Sequence, residues 1–177
     1  MIKFAQKMQI QSFTFGPFQE NTFILFDETN EAVIIDPGCF SSDEKKELQD
    51  FIQHNKLQIK LLLNTHCHLD HIAGNAFIHD VFGLLPIIHK DDLPILDNQE
   101  RSCAMYGILC EVSPRPVEFI EEGEQIKFGN QILDVIHVPG HAPGHVVFYN
   151  KAHESVINGD VLFNGSIGRT DLPLGNH

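Results

Sequence analysis

Residues 8–15, MQIQSFTF, alternate apolar and polar side chains, the period-two signature of a strand with one buried face. NTFILFD (21–27) and EAVIID (31–36) are rich in β-formers and flank the turn residues ETN, so they read as a hairpin. DPG at 36–38 stops the second strand. Ser41 with Glu44 fits a capping box opening a helix over residues 42–55, where Leu48, Phe51 and Ile52 share one face. IKLLLN (59–64) is a continuous apolar run, the pattern of a strand covered on both faces. IAGNAFIHDVFG (72–83) predicts a helix, PIIH (86–89) a short strand, and residues 91–113 a mostly helical stretch. VEFI, QIKF, QILDVIHV, HVVFY and ESVIN then predict a second group of strands.

One pattern recurs. FILFDETNE (23–31) and VVFYNKAHE (146–154) share a strand, a turn and a glutamate, and each leads into a Val-Ile strand, AVIIDPG or SVINGD. Two equivalent hairpins of a duplicated two-sheet domain would produce this echo, and so would convergent hairpin design.

Composition narrows the class. The chain has 177 residues, with 42% hydrophobic and 20% charged, which suits one globular domain over 1–177. A formal charge of −12 without a basic stripe argues against a nucleic-acid partner and against anionic membranes. No apolar run approaches the ~18 residues of a membrane span, and the opening MIKFAQKMQI has no apolar core of a leader peptide. Cys39, Cys67, Cys103 and Cys110 form no C-x-x-C pair. They read as reduced thiols, with the buried small hydrophobe as their ordinary role, in a cytoplasmic protein. Oligomeric state has no signature in the sequence.

The chemistry concentrates in LLNTHCHLDHIAGN (61–74), which places His66, His68, Asp70 and His71 within six positions. Packing alone rarely requires such a cluster, whereas imidazole and carboxylate together suit zinc, iron or manganese. In an extended segment His66 and His68 point to one face and grip one ion, while His71 breaks the alternation toward a second. VIHVPGHAPGH (135–145) adds His141 and His145 after a strand, and VINGDVLF (156–163) adds Asp160 after another. Ligand candidates thus gather at strand ends. His54 reads as solvated; His79, His89, His137 and His153 lack partners in the sequence and read as structural.

HCHLDH, then PGHAPGH, NGD and GSIGRTDLP (165–173), in this order along nearly the whole chain, resemble the metallo-β-lactamase superfamily, and within it the glyoxalase II-like (hydroxyacylglutathione hydrolase) branch. The resemblance implies an α/β fold, a four-layer αβ/βα sandwich, here lacking its last strand and helix. It implies one ion held by His66, His68 and His141, and a second held by Asp70 and His71, with Asp160 bridging. His145 is then a neighbour, Cys67 points away, and Asp36 supports the ligands from behind. The family takes a further histidine from a Gly-His element beyond the GRTDLP region; the chain reads LPLGNH there, and His177 lies too close behind the loop to match.

The activity implied is hydrolysis of a thioester such as S-2-hydroxyacylglutathione by metal-bound hydroxide, with two divalent ions, zinc foremost and iron or manganese admissible. Asp70 is the catalytic candidate, orienting the nucleophile. A thiolate leaving group has a pKa near ~8.5 and needs little acid assistance. The cations make the site attractive to a small anionic substrate despite the acidic chain. Arg169 is the substrate-contact candidate, with pairing to Asp171 as its alternative role. Two other readings stand beside this one. A mononuclear iron persulfide dioxygenase would use His66, His141 and Asp160, and an inactive metal-binding fragment would do no chemistry.

Overall fold

A computed structural model describes residues 7–177; the reading of the opening six residues as free of a leader lies outside the described part. Strands β1 (Gln9–Phe15), β2 (Glu20–Phe26), β3 (Glu31–Ile35), β4 (Gln58–Leu63) and β5 (Pro86–Ile87) form the first sheet in that order. β1 to β3 run antiparallel, whereas β4 joins β3 in parallel and β5 joins β4 in parallel. Helix α1 (Ser42–His54) makes the crossover between β3 and β4. Its capping box forms as expected: the Ser41 hydroxyl accepts from the Glu44 N–H, and Glu44 accepts from the Ser41 N–H.

The second sheet is the antiparallel meander β6 (Gln125–Phe128), β7 (Gln131–His137), β8 (Val146–Asn150) and β9 (Ser155–Ile157). Period two sorts the side chains of β3. Val33 and Ile35 join Leu25, Leu63, Leu133, Val135, Phe148 and Ile157 in a core between the sheets. Ala32 and Ile34 face the other way, against Leu48 and Ile52 of α1 and Ile78 of α3 (Asn75–Phe82). Burying each such side chain is worth about 1.5–3 kcal/mol, which makes these two layers the frame of the molecule.

The result is helix, sheet, sheet. No helix of the described residues packs on the outer face of the second sheet, where Ile132, Ile136 and Val156 remain exposed. Three of the four layers of an αβ/βα sandwich are therefore present.

The two echoing hairpins, β2–β3 and β8–β9, lie one in each sheet, β3 inside its sheet and β9 at an edge, and their registers differ by one residue. Phe26 pairs with Ala32, whereas Asn150 pairs with Ser155.

Several local expectations are corrected. The stretch 72–83 is not one helix: α2 (Leu69–Ile72) ends at Ala73, and α3 starts after Gly74, whose N–H donates to the Pro37 carbonyl. Residues 91–113 hold only α4 (Leu93–Leu96) and α5 (Gln99–Tyr106) beyond a short 3₁₀ turn, because Gly107 adopts the left-handed conformation that ends a helix. VEFI contributes a single bridge, Phe119 to Ile88, rather than a strand. An unexpected hairpin, β10 (Leu162–Phe163) with β11 (Ser166–Ile167), turns on Asn164-Gly165, a dipeptide that favours tight hairpins.

The cysteines are also corrected. Cys103 and Cys110 form a disulfide, brought together because the turn at Gly107 folds the chain back from α5. Only Cys39 and Cys67 are free buried thiols among the described residues, and burial raises both pKa values, that of Cys39 to about 12. No helix of the described residues is long and apolar enough to cross a membrane.

Candidate metal centre

The strand ends converge as the sequence pattern requires. His66 follows β4, His141 follows β7, His145 immediately precedes β8, and Asp160 follows β9. His68 caps the N-terminal side of α2, whose first turn carries Asp70 and His71. That turn into a helix brings His71 back to His66, with ring centroids 4.0 Å apart.

Two groups of donor atoms result. His66, His68 and His141 form one, and His66, His71 and Asp160 the other; within each group the ligand atoms lie within 4.8 Å of one another. His68 Nδ1 stands 2.8 Å from His141 Nε2. The two Asp160 carboxylate oxygens reach in opposite directions, Oδ1 to 3.4 Å from His71 Nε2 and Oδ2 to 3.4 Å from His141 Nε2. Asp70 stands at the edge, its Oδ2 3.8 Å from His71 Nε2. His177 lies apart, its Nδ1 3.1 Å from the Thr170 hydroxyl.

The surrounding hydrogen bonds set the tautomers. His66 Nδ1 donates to Thr65 Oγ1, which in turn donates to Asp36 Oδ2 at 2.6 Å. His71 Nδ1 donates to the same Asp36 oxygen at 3.0 Å, and His141 Nδ1 donates to the Arg169 carbonyl at 2.7 Å. Each imidazole thereby turns a lone pair on Nε2 toward the centre, the arrangement that metal-ligating histidines require. His66 Nε2 and His71 Nε2 are buried and have no hydrogen-bond partner. Buried nitrogens without partners are costly unless something else accepts their lone pairs, and a divalent cation does so. The residues present therefore fit a metal.

Charge agrees with that geometry at His66, His68 and His145, whereas at His71 the surrounding carboxylates favour a proton that a bound cation would have to displace. Burial, with the neighbouring imidazoles adding to it, lowers the pKa of His66, and lowers those of His68 and His145 to about 3, so these rings are neutral. Burial also opposes charge on His71, but Asp36, Asp160 and Asp70 outweigh it and raise its pKa well above the usual value. Burial raises Asp70, whereas for Asp160 the contacts with His71 overcome burial and lower it.

Asp36 is the keystone of this shell. It accepts from Thr65 N, Thr65 Oγ1 and His71 Nδ1, and holds φ at +51°, a left-handed conformation unusual for a residue with a side chain. Glu20 lies behind it, with Oε1 3.9 Å from His71 Nδ1; burial raises its pKa well above the usual value. Asn64 and Asn75, both buried, bond to each other and fix the loop, since Asn64 also donates to the His71 carbonyl. Gly168 permits the approach of the last loop, because a Cβ there would stand 1.8 Å from the Asp160 carbonyl. Arg169 holds His141 through its backbone, while its guanidinium pairs with Asp171 on the surface at 2.7 and 2.8 Å. His145 stacks on His66 at 4.6 Å and accepts from the Asp160 N–H, so it buttresses both donor groups without belonging to either.

Sequence reading missed Asp92. It is fully buried, and its two oxygens accept from Cys67 N at 2.7 Å and Gly144 N at 2.6 Å. It thus ties the His66–His71 loop to the His141–His145 loop. Its only sequence signal was an acidic pair before a proline-bearing helix, KDDLP. Burial, partly offset by the two N–H donors, raises its pKa from 3.8 to about 6. Asp92→Ala is expected to strand two buried donors and cost about 2–4 kcal/mol, lowering the melting midpoint by roughly 5–15 °C. Since the folded-state pKa exceeds the unfolded one, the stability that this group contributes is greatest below pH 3.8 and declines as pH rises to about 6. That decline should be absent from the variant in melts across this range.

The model of the metallo-β-lactamase superfamily matches residues 15–177. The chain belongs to this superfamily. Hydroxyacylglutathione hydrolase GloC of Haemophilus influenzae is 33% identical over 172 residues, covering 96% of this chain and 79% of that protein. Among solved structures, the BLEG-1 B3 metallo-β-lactamase superposes with a TM-score of 0.85 at 30% identity, covering 96% of this chain and 80% of the other. TTHA1623 in a di-iron-bound form superposes with a TM-score of 0.82 at 36% identity, covering 94% and 79%. The sandwich expected from the motifs is thus the fold observed.

Proposed function

We propose that this superfamily member hydrolyses a thioester of the S-2-hydroxyacylglutathione type at a two-ion centre. The observation that carries the reading is the pair of donor groups sharing His66, with buried imidazole nitrogens that no protein group satisfies. The similarity to GloC supports the substrate class, and the di-iron form of TTHA1623 supports two ions. His66, His68 and His141 would hold one ion, and His71 and Asp70 the other, with Asp160 between them. Bound there, divalent ions supply a Lewis acid for the acyl carbonyl and lower the pKa of water to ~7.

The chain's own groups do the rest. The Asp70 carboxylate, still partly exposed, accepts a hydrogen bond from the attacking water and orients it. The Asp36 and Arg169 oxygens keep the imidazoles in the tautomer that faces the substrate. The Arg169 guanidinium exchanges its exposed pairing with Asp171 for a carboxylate of an anionic substrate, because exposed ion pairs are weakly held.

Metal analysis with paired assays tests the proposal. About two divalent ions per chain and turnover of S-lactoylglutathione are expected. A single iron, with oxygen consumed on glutathione persulfide, would replace this reading with the dioxygenase, and metal binding without either activity would leave only a binding protein.

A further inference from the structure

A second imidazole cluster lies outside the centre. His89, expected from the sequence to be structural, follows β5 and is buried at 6% exposure; His137 ends β7. Their rings stack with centroids 4.1 Å apart and planes 16° apart. Asp91 completes the group, its Oδ2 3.7 Å from His89 Nδ1 and its side chain half exposed. One donor atom from each of the three lies within 4.8 Å of the others. We propose that His89, Asp91 and His137 form an accessory site for a divalent transition-metal ion of the zinc type, which clamps the end of β5 to the end of β7.

Four observations carry it. His137 Nε2 donates to the Pro143 carbonyl at 2.9 Å, so Nδ1 keeps the lone pair, as second-shell carbonyls arrange for metal-binding histidines. A tetrahedral zinc with bonds of ~2.0–2.1 Å spaces its donors about 3.4 Å apart. The partner with room to close that gap is Asp91, the half-exposed member. The surroundings favour a cation: Lys90 is paired with Glu121 at 2.7 Å, and the Glu122 carboxylate accepts from the backbone N–H of His137. Burial and the neighbouring His137 lower the basicity of His89, which favours its neutral ring, and the Nδ1 lone pair meets only the long 3.3 Å contact from the Asp91 N–H.

The site shares no ligand with the main centre, yet it is mechanically joined to it. Asp91 adjoins Asp92, which holds Cys67 and Gly144, and Pro143 lies in the loop that carries His141. An ion here would brace both ligand loops from outside.

Zinc alone is the probe. Equilibrium dialysis of chelator-stripped protein should show one more equivalent bound by the unsubstituted chain than by His137→Gln, with the ions of the main centre retained. Asp91→Asn, a surface change that leaves the core intact, should weaken that equivalent at least about tenfold. In a His66→Ala/His68→Ala background, added copper(II) should still give nitrogen hyperfine coupling from two imidazoles, lost on His137→Gln. Equal stoichiometry and affinity in the unsubstituted, His137→Gln and Asp91→Asn proteins would reduce the pair to ordinary packing. Should His137→Gln fail to fold, an unchanged affinity in Asp91→Asn by itself overturns the proposal.

Discussion

Replacing His66 by alanine is expected to abolish turnover, lowering kcat/KM by about 10³-fold or more, and to release the ion held with His68 and His141. His66 is the one imidazole common to both donor groups, so its loss removes a ligand of one ion and a close neighbour of the other. The ring is buried, bonded to Thr65 Oγ1 and packed against His71 and His145, so its removal also leaves a cavity that lowers metal-free stability by about 2–4 kcal/mol. The measurement is therefore a pair: metal content and hydrolysis both fall, while the circular dichroism spectrum at a temperature below the lowered melting midpoint stays that of the folded chain. Retained hydrolysis with two ions bound would sink the assignment of the centre.

Asp36→Ala should act the other way round, on the fold first. Three buried donors, Thr65 N, Thr65 Oγ1 and His71 Nδ1, lose their acceptor together. Stranded buried donors cost about 1–3 kcal/mol each, and because these act as one network a loss of about 3–5 kcal/mol is expected. The His66 and His71 rings would also lose the bonds that set their tautomers, so zinc affinity should fall about 10–100-fold. Asp36→Asn, which keeps one acceptor oxygen, should fall between the two in denaturant melts and zinc titrations. An Asp36→Ala protein as stable as the parent, binding zinc equally well, would show that the network is dispensable.

These two expectations rest on different kinds of legibility. His66, His68, Asp70 and His71 stood out as candidates directly, because three imidazoles and a carboxylate within six positions are chemically rare. His141 and Asp160 were legible through their loops, since each stands in a glycine-bearing turn after a strand. Asp36 was legible only as a residue after a strand, without its three bonds. Asp92 was not legible at all: a carboxylate that accepts two backbone N–H groups from distant loops looks like any surface acid until the loops are folded together. Arg169 divides between the two cases. Its surface pairing with Asp171 was foreseeable from their spacing, but the contact with His141 runs through its carbonyl oxygen, which every residue has.

The same division holds for the fold. Period-two alternation, the Ser41–Glu44 capping box and the apolar run at 59–64 determined the strands, the helix and the buried layer from local sequence. The break at Gly74, the shortened helices beyond residue 90, the Cys103–Cys110 bond and the one-residue difference between the hairpin registers were decided by tertiary structure. Local pattern reports what a segment buries and where it turns, because those depend on neighbours in the chain. Pairing between distant segments depends on which backbone groups and side chains arrive at the same place, and the folded chain alone brings His89 against His137 and Asp92 between two ligand loops.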